Sequence, residues 1–253
     1  MLELTDEQRD IQRLCREFAA REIRPVSLAV DEADTEWPRE VWRKASEIGL
    51  TSFMLPAQYG GAGMTDCVTS CLVGEELSHG CSGIGNLITS GGFFAEPVLE
   101  LGSQAQKQRW LTPLTGVDPP LTALAITEPD SGSDAASIRT RARRVDGGYV
   151  LTGQKAWISN GGVARFYVVF ATVDPRAGHR GITVFLLDSG DEGLRCGPPI
   201  RKLGQRAIVN TELFLDDVFV ADDRRLGGRA GARGARVRDR LCQAAPPVRQ
   251  ADR

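Results

Sequence analysis

The chain has 253 residues, of which 42% are hydrophobic and 25% charged, and its formal net charge is −2. This is the composition of an ordinary soluble protein, and it excludes collagen-like repetition and compositional disorder. No apolar run approaches the roughly 18 residues that a membrane helix needs. The first ten residues also lack the basic flank and apolar stretch of a secretion signal, so we expect a cytoplasmic protein.

Potential metal ligands and catalytic thiols are scattered. The chain has six cysteines without a CxxC pair and only two histidines, which lie far apart. This pattern predicts no metal site and argues against a hydrolase with a nucleophilic triad. We interpret the cysteines as reduced thiols that mostly fill the core. They are Cys15, Cys67, Cys71, Cys81, Cys196 and Cys242.

Charge is unevenly distributed along the chain. Residues 224–253 contain nine arginines and two aspartates and carry a net charge of +7, whereas residues 1–223 carry −9. Clustered guanidinium groups can bind nucleic acid or another acidic surface. This segment, however, has no lysine and no aromatic residue, and its Arg/Gly/Ala/Pro mixture resembles GC-rich DNA translated in a shifted frame. We therefore predict a disordered tail without a nucleic-acid partner.

The N-terminal part of the chain has the hydrophobic period of helices. Thr5 and Gln8 form a capping-box pattern, which begins a helix that we expect to end near Pro25. Asp66 can cap a later helix with its own apolar stripe. Further apolar stretches keep the helical spacing. Residues 1–117 are therefore predicted to be all-α.

A cluster of turn residues at 116–120 marks a change of period. Downstream, short β-rich runs predict an antiparallel sandwich or barrel over residues 118–223. No GxGxxG opens a strand-to-helix turn, which argues against a nicotinamide-binding Rossmann domain. The expected fold class is α+β, with an all-α domain, then a β domain, then the basic tail. The predicted strands are Leu121–Thr127, Ile138–Val145, Tyr149–Trp157, Phe166–Val173, Gly181–Leu187 and Thr211–Val220.

Two segments of the β region combine a strand end with a polar, glycine-rich turn: 125–134 (AITEPDSGSD) and 153–162 (GQKAWISNGG). Such turns present backbone N–H groups and hydroxyls that can bind a carbonyl-rich heterocycle or a phosphate. A neighbouring indole, here Trp157, can cover an aromatic face. Seen singly, each segment is better explained as an ordinary turn, with Trp157 in the core.

Together, in this order and after a helical region, the two segments resemble the acyl-CoA dehydrogenase family from Leu4 to about Leu226. The resemblance implies an FAD enzyme that oxidises the Cα–Cβ bond of an acyl-CoA thioester, with a glutamate taking the α proton and flavin N5 taking hydride from Cβ. It also implies an electron-transfer flavoprotein as electron acceptor and a homo-oligomer, with no membrane partner. Supporting stretches are 55–63 (LPAQYGGAG), 75–77 (EEL), 80–83 (GCSG), 148–153 (GYVLTG), 201–206 (RKLGQR) and 213–220 (LFLDDVFV).

The resemblance also implies positions for the cofactor. Thr127 would serve the pyrimidine side of the flavin, Trp157 would pack beside the ring, and Ser159 would lie near N5. Many relatives have Thr where this chain has Ser159. Ser133 would lie beside both the flavin pyrophosphate and the pantetheine arm of CoA. The complete cofactor set is Leu124, Ile126, Thr127, Gly132, Ser133, Trp157, Ile158 and Ser159.

For the substrate, the resemblance implies contacts from Ser133 and from Asn86 and Thr89, which match the wall of the acyl pocket. Medium-chain relatives have a carboxylate where this chain has Thr89, so the acyl chain length stays open. A plain core helix is the alternative interpretation of this region.

Family members continue with a C-terminal four-helix bundle that supplies the catalytic glutamate. Here the basic tail follows Leu226, so we expect the bundle to be absent, no catalytic residue to be present, and the chain to be truncated and inactive alone. Glu128 and Glu192 do not match the position of the base, and Glu128 and Asp134 are interpreted as fixing turns. The alternatives are a non-catalytic binding or regulatory fragment, or a flavin oxidase or monooxygenase of the same superfamily.

Overall fold

A computed structural model describes residues 3–33 and 36–227. The predictions for the tail, including Cys242 and the missing bundle, fall mainly on residues 228–253 and lie outside the described residues. Contacts between Cα atoms divide the described chain into two compact units. The first unit consists of residues 3–33, 36–95, 108–121 and 199–209, and the second of residues 96–107, 122–198 and 210–227.

The predicted order, helices first and strands afterwards, is confirmed. Within the described residues, no helix is long and apolar enough to cross a membrane. The helices are α1 (Asp6–Phe18), α2 (Ser27–Ala33), α3 (Arg39–Glu47), α4 (Cys67–Gly80), α5 (Ser82–Thr89), α6 (Gly91–Leu101) and α7 (Gln104–Leu111).

The start of α1 has the capping box that the sequence predicts. The Thr5 hydroxyl accepts the Gln8 N–H at 3.2 Å, and the Gln8 side chain accepts the Thr5 N–H at 3.1 Å. The helical backbone does not stop near Pro25 as predicted. It continues through a π turn (Ala19–Ile23) and a 3-10 turn that contains Pro25, because proline is tolerated in a first helical turn, where its missing N–H has no partner to lose.

The core of the first unit forms where α1, α4 and α5 pack together. Gly85 allows this close packing, since a Cβ atom there would lie 2.8 Å from the carbonyl carbon of Leu77. Burial of these apolar side chains stabilises the unit by about 25 cal/mol for each Å² removed from water. The shared core includes Ile11, Cys15, Phe18, Val73, Leu77, Ile84 and Ile88.

The prediction that the cysteines mostly fill the core is wrong for the described residues. All five described cysteines are free, but only Cys15 is buried, whereas Cys67, Cys71 and Cys196 are exposed. Cys67 and Cys71 are one helical turn apart, on the face of α4 opposite its buried leucines. Their spacing places both thiols in solvent, which composition alone does not reveal.

The second unit contains one eight-stranded sheet in the order β6-β7-β3-β2-β4-β5-β8, with β1 added beside β4. The β1–β4 pair and the short β2–β4 pair are parallel, and the other pairs are antiparallel, which confirms the predicted character of the sheet. The strands are β1 (Thr122–Ala125), β2 (Arg141–Val145), β3 (Gly148–Ser159), β4 (Phe166–Thr172), β5 (Ile182–Asp188), β6 (Leu194–Cys196), β7 (Asn210–Ala221) and β8 (Arg225–Leu226).

The long antiparallel pair β3–β7 changes register near the end of β3. Lys155 pairs with Leu213 and Ile158 pairs with Thr211, so three steps along β3 match two steps along β7. This one-residue excess is a β-bulge, which bends a strand and redirects a side chain. The bulge contains Trp157.

Candidate functional site

The two segments singled out in the sequence meet in the second unit. The first follows β1, and the second forms the end of β3. The Ala156 N–H donates to the Thr127 carbonyl oxygen at 2.9 Å, so the backbone of one segment is bonded directly to the backbone of the other. Sequence order alone leaves 28 residues between these positions, and the fold brings them into contact.

A buried ion pair lies beneath this junction. The Lys155 ammonium donates to Glu128 Oε1 at 2.8 Å and to the Ile126 carbonyl oxygen at 3.2 Å. The Lys155 side chain is 0% exposed and that of Glu128 is 6% exposed. The carboxylate also accepts the backbone N–H groups of Arg139 at 2.6 Å and Thr140 at 2.9 Å. Glu128 therefore fixes the turn, as predicted, by joining three chain segments.

Burial and pairing pull the pKa values of this pair in opposite directions. Burial lowers the pKa of Lys155 to about 8, against the opposing attraction of the Glu128 carboxylate. Burial raises the pKa of Glu128, but the Lys155 charge and the hydrogen bonds from Lys155, Thr140 and Arg139 outweigh it and hold that pKa below its usual range. At neutral pH both groups are charged, and they are in direct contact at 2.8 Å.

Trp157 has an unusual conformation. Its backbone φ is +60°, a left-handed value that is a genuine outlier for a bulky residue. Its side chain is 61% exposed, while its neighbours Ala156 and Ile158 are buried. The alternative interpretation of Trp157 as a core residue is therefore wrong, because the bulge turns the indole outward.

The backbone around Trp157 is held by two asparagines. Asn210, at the start of β7, donates from Nδ2 to the Trp157 carbonyl oxygen and to Ser159 Oγ, both at 3.2 Å. Asn160, itself at φ +61°, donates from Nδ2 to the Thr122 carbonyl oxygen at 3.0 Å. The strand end that carries Trp157 is thus bonded to β1 on one side and to β7 on the other.

The polar turn after Thr127 is closed by its own hydrogen bonds. Glu128 and Ser131 exchange backbone hydrogen bonds of 2.9 and 3.2 Å, and Ser131 Oγ donates to the Asp134 carbonyl oxygen at 2.6 Å. The Asp134 carboxylate accepts from the Ser137 hydroxyl, which supports its interpretation as a turn-fixing residue. Gly132 and Ser133 are exposed at the tip of this turn.

Only some of the predicted cofactor residues lie close together. The structure places Leu124, Ile126 and Thr127, all half-buried, beside the strand end that carries Trp157 and the exposed Ser159. Ile158, between them, is buried, with 2% exposure. The roles assigned to these residues and to Gly132 and Ser133 stay predictions.

The predicted substrate residues of α5 belong to the first unit. Asn86 donates from Nδ2 to Gln205 Oε1 at 3.1 Å. The Thr89 hydroxyl lies 3.2 Å from the Gly85 carbonyl oxygen, within its own helix. Thr89 also lines a small cavity together with residues 51–55, Gly91, Gly92 and Leu114. Their roles toward a substrate stay predictions.

No sequence pattern predicts a role for Lys155 or Asn210. The local signal for Lys155 is weak, a lysine directly before Ala156 and Trp157 near a strand end, and Asn210 lies 51 positions from Ser159. The part of the chain that the structure describes contains no group of three or more His, Cys, Asp or Glu residues suited to a metal ion.

The chain belongs to the acyl-CoA dehydrogenase family. Residues 5–118 match the model of the acyl-CoA dehydrogenase N-terminal domain, and residues 123–218 match that of the middle domain. FAD is the cofactor of this family. The family model therefore covers both segments of the site and all three predicted substrate positions.

Among curated relatives, cyclohex-1-ene-1-carbonyl-CoA dehydrogenase of Geobacter metallireducens is 38% identical over 90% of this chain and 59% of its own length. The chain thus spans about three fifths of that relative. Butyryl-CoA dehydrogenase of Megasphaera elsdenii superposes with a TM-score of 0.83 and 32% identity over 90% of this chain and 60% of the other. Glutaryl-CoA dehydrogenase of Mycobacterium smegmatis in complex with FADH2 gives a TM-score of 0.81 and 32% identity over 91% and 58%.

Proposed function

We propose that the second unit binds the isoalloxazine ring of FAD at the junction of residues 124–127 and 156–159. The observation that carries this proposal is the exposed, left-handed Trp157 beside the Thr127 strand end. A large aromatic surface turned into water at a strained backbone position is a cost that a purely structural residue would avoid. Flavin is a flat aromatic ligand rich in carbonyl and N–H groups, and this surface suits it.

The residues at the junction offer complementary chemistry. The half-buried Thr127 and its strand backbone supply hydroxyl, N–H and carbonyl groups for the polar edge of the ring. The exposed Ser159 supplies a hydroxyl, which Asn210 holds at 3.2 Å. Hydrogen-bond donors held in place in this way stabilise negative charge that develops on a ligand. Gly132 and Ser133, exposed at the turn tip, are proposed to serve the pyrophosphate.

We propose an acyl-CoA thioester as substrate, with contacts from Asn86, Thr89 and Ser133, and α,β-dehydrogenation as the reaction. When bound, FAD would accept the hydride equivalent that leaves Cβ. By their names, the relatives given above act on cyclohex-1-ene-1-carbonyl-CoA, butyryl-CoA and glutaryl-CoA. For this protein we propose only that the substrate is an acyl-CoA of fatty-acid or branched-acyl catabolism.

We further propose that the 253-residue polypeptide does not turn over by itself. Glu128 and Glu192 do not match the position of the family's base, so we propose that this polypeptide lacks a group that removes the proton from Cα. We also propose an electron-transfer flavoprotein as the electron acceptor and a homo-oligomeric state in longer relatives. The proposed location is cytoplasmic, and the proposed domains are residues 1–117 and 118–223.

A titration with FAD tests the cofactor site. Replacing Trp157 with alanine should weaken FAD binding by roughly tenfold, because stacking on an indole contributes on the order of 1 kcal/mol beyond its burial. Phe219→Ala is the matched control, since Phe219 is also an aromatic residue of the second unit with 51% exposure and lies in β7 away from the junction. Equal affinities of W157A and the parent chain would refute the site.

Turnover separates the catalytic alternatives. Purified chain is mixed with FAD, an artificial electron acceptor and a panel of acyl-CoA thioesters, and oxygen consumption is recorded in parallel. We expect no turnover and no oxygen uptake. Robust reduction of the acceptor would overturn the proposed inactivity, and substrate-dependent oxygen uptake would favour a flavin oxidase instead.

A further inference from the structure

We propose that Lys155 and Glu128 are positioning residues of the flavin site, and that this buried pair holds the bulge in which Trp157 faces solvent. The inference rests on the proposed flavin site. It concerns residues that do not reach the exposed surface, since the Lys155 side chain is 0% exposed and the Glu128 side chain 6% exposed. Their action on a ligand therefore passes through the backbone they hold.

The strain at Trp157 needs such a support. A bulky residue in the left-handed region is strained and persists only where the surrounding contacts fix it. A regular β3 would place Lys155 and Trp157 on the same face, because side chains alternate with a period of two. Instead Lys155 is fully buried and Trp157 is 61% exposed. The bulge at Trp157 therefore accounts for both orientations, the buried lysine and the exposed indole.

The contacts of the ion pair explain how the bulge is fixed. On the β1 side, the Lys155 ammonium holds the Ile126 carbonyl oxygen at 3.2 Å, directly before Thr127. On the β2 side, the Glu128 carboxylate accepts the N–H groups of Arg139 and Thr140. The Ala156 N–H to Thr127 carbonyl bond lies between these anchors. Removal of the pair therefore releases Thr127 and the bulge together.

Stability alone does not account for the pair. Well-packed apolar side chains of similar size often stabilise an interior as well as a buried ion pair does, or better. Apolar side chains cannot donate to the Ile126 carbonyl oxygen or accept the two N–H groups at 139 and 140. Lys155 and Glu128 therefore do what apolar side chains cannot, because their hydrogen bonds join three backbone segments.

The test uses the full 253-residue chain and the variant E128Q/K155M, which removes both charges and keeps both volumes. Asp130→Asn is the matched control, because it breaks the exposed Arg139–Asp130 pair of the same turn. Hydrogen exchange of the Ala156 amide is measured without ligand, and FAD affinity is measured by titration. Both assays are run well below the melting midpoints of all variants.

We expect the Ala156 amide to exchange at least tenfold faster in E128Q/K155M than in the parent, while the amide of Val168, in the buried strand β4, stays within about twofold. FAD affinity should fall about tenfold in the same variant and stay within about twofold in D130N. A purely structural pair would lower the melting midpoint and leave FAD affinity unchanged. That result, or unchanged Ala156 exchange, would overturn the proposal.

Two further outcomes keep the tests separate. If the parent chain does not bind FAD, the proposed flavin site fails, and with it the role of the pair toward a flavin, whatever the exchange data show. If E128Q/K155M does not fold, E128Q alone is measured, since it keeps the Lys155 contact to the Ile126 carbonyl. Ala156 exchange or FAD affinity in E128Q should then change by about two- to threefold, and no change in either refutes the proposal.

Discussion

Glu76 in the helical unit and Glu128 in the sheet unit are equally buried, each with 6% exposure, but their partners differ. Glu76 accepts from Arg16 Nε at 2.9 Å and from Gln12 Nε2 at 2.9 Å. The Arg16 side chain is 67% exposed, whereas the Lys155 side chain is 0% exposed. The cation that pairs with Glu76 is thus exposed to solvent, whereas the cation that pairs with Glu128 is buried with it.

The difference shows that the burial of an acidic residue does not define its structural role. Glu76 joins α1 to α4 with a partner whose guanidinium stays hydrated, an arrangement that costs little desolvation. Glu128 and Lys155 are both removed from water, so each depends on the other and on backbone hydrogen bonds. The arginine hydrogen bond holds the pKa of Glu76 below its usual range, and so does the lysine for Glu128.

The largest expected effect is that of Lys155→Met in the sheet unit. Methionine fills a similar volume but leaves the Glu128 carboxylate and the Ile126 carbonyl oxygen buried without the hydrogen-bond donor that they share, which costs about 3–5 kcal/mol. Urea unfolding of the parent and variant measures this loss as a shift of the midpoint at constant slope. A loss below 1 kcal/mol would mean that water reaches Glu128, and the contrast between the two glutamates would disappear.

The second effect is a rise of stability at alkaline pH. The folded pKa of Lys155 is about 8, below the ordinary value of about 10.4. Between these values the unfolded chain binds more protons than the folded chain, so this lysine makes stability increase as pH rises through the window. Relative to K155M, the parent should gain about 1–3 kcal/mol from pH 8 to 10.5.

Urea midpoints of the parent and K155M at several pH values measure this gain, and the subtraction removes the titration of other groups. A flat or falling difference across the window would show that the Lys155 charge is not penalised by burial.

A smaller effect is expected for Arg16→Met in the helical unit. Water can occupy the place of the exposed guanidinium and rehydrate Glu76, so the loss should be a small fraction of that in K155M. The same urea experiment measures it, with Arg13→Met on α1 as control, because Arg13 pairs with the exposed Asp10. A loss as large as that of K155M would show that the exposed partner carries as much energy as the buried one.

The smallest effect is expected for Asp130→Asn. Its partner Arg139 is 78% exposed and Asp130 is 72% exposed, so the ion pair is screened and the change should stay within about 0.5 kcal/mol. Thermal unfolding in low and high salt checks this value. A salt-dependent loss above 1 kcal/mol would show that solvent exposure does not determine how much each ion pair of this protein contributes to stability.

Local patterns predicted much of the fold. The structure confirms the Thr5 capping box, the strand runs and the Asp66 cap, which accepts the Thr69 N–H at 2.8 Å. Each of these features depends on residues that are neighbours in sequence. The helical continuation past Pro25 and the exposed cysteines of α4 were missed. Those features depend on which face of a helix meets the rest of the unit.

The candidate site was predicted as two segments, but not as a geometry. Residues 125–134 and 153–162 were identified from their turn chemistry, and the fold joins them at Thr127 and Ala156. The burial of Lys155 and the left-handed Trp157 follow from the one-residue excess of β3 over β7. A register shift between strands more than 50 residues apart has no local sequence signal.

The exposed indole also gives this protein a built-in spectroscopic reporter. Trp42 and Trp110 are each 3% exposed and Trp37 is half-buried, so Trp157 is the most exposed of the four tryptophans. Its fluorescence should emit at longer wavelength and respond first to a quencher dissolved in the buffer. Selective excitation at the red edge therefore favours Trp157 over the buried Trp42 and Trp110, and it reports on the bulge without a label.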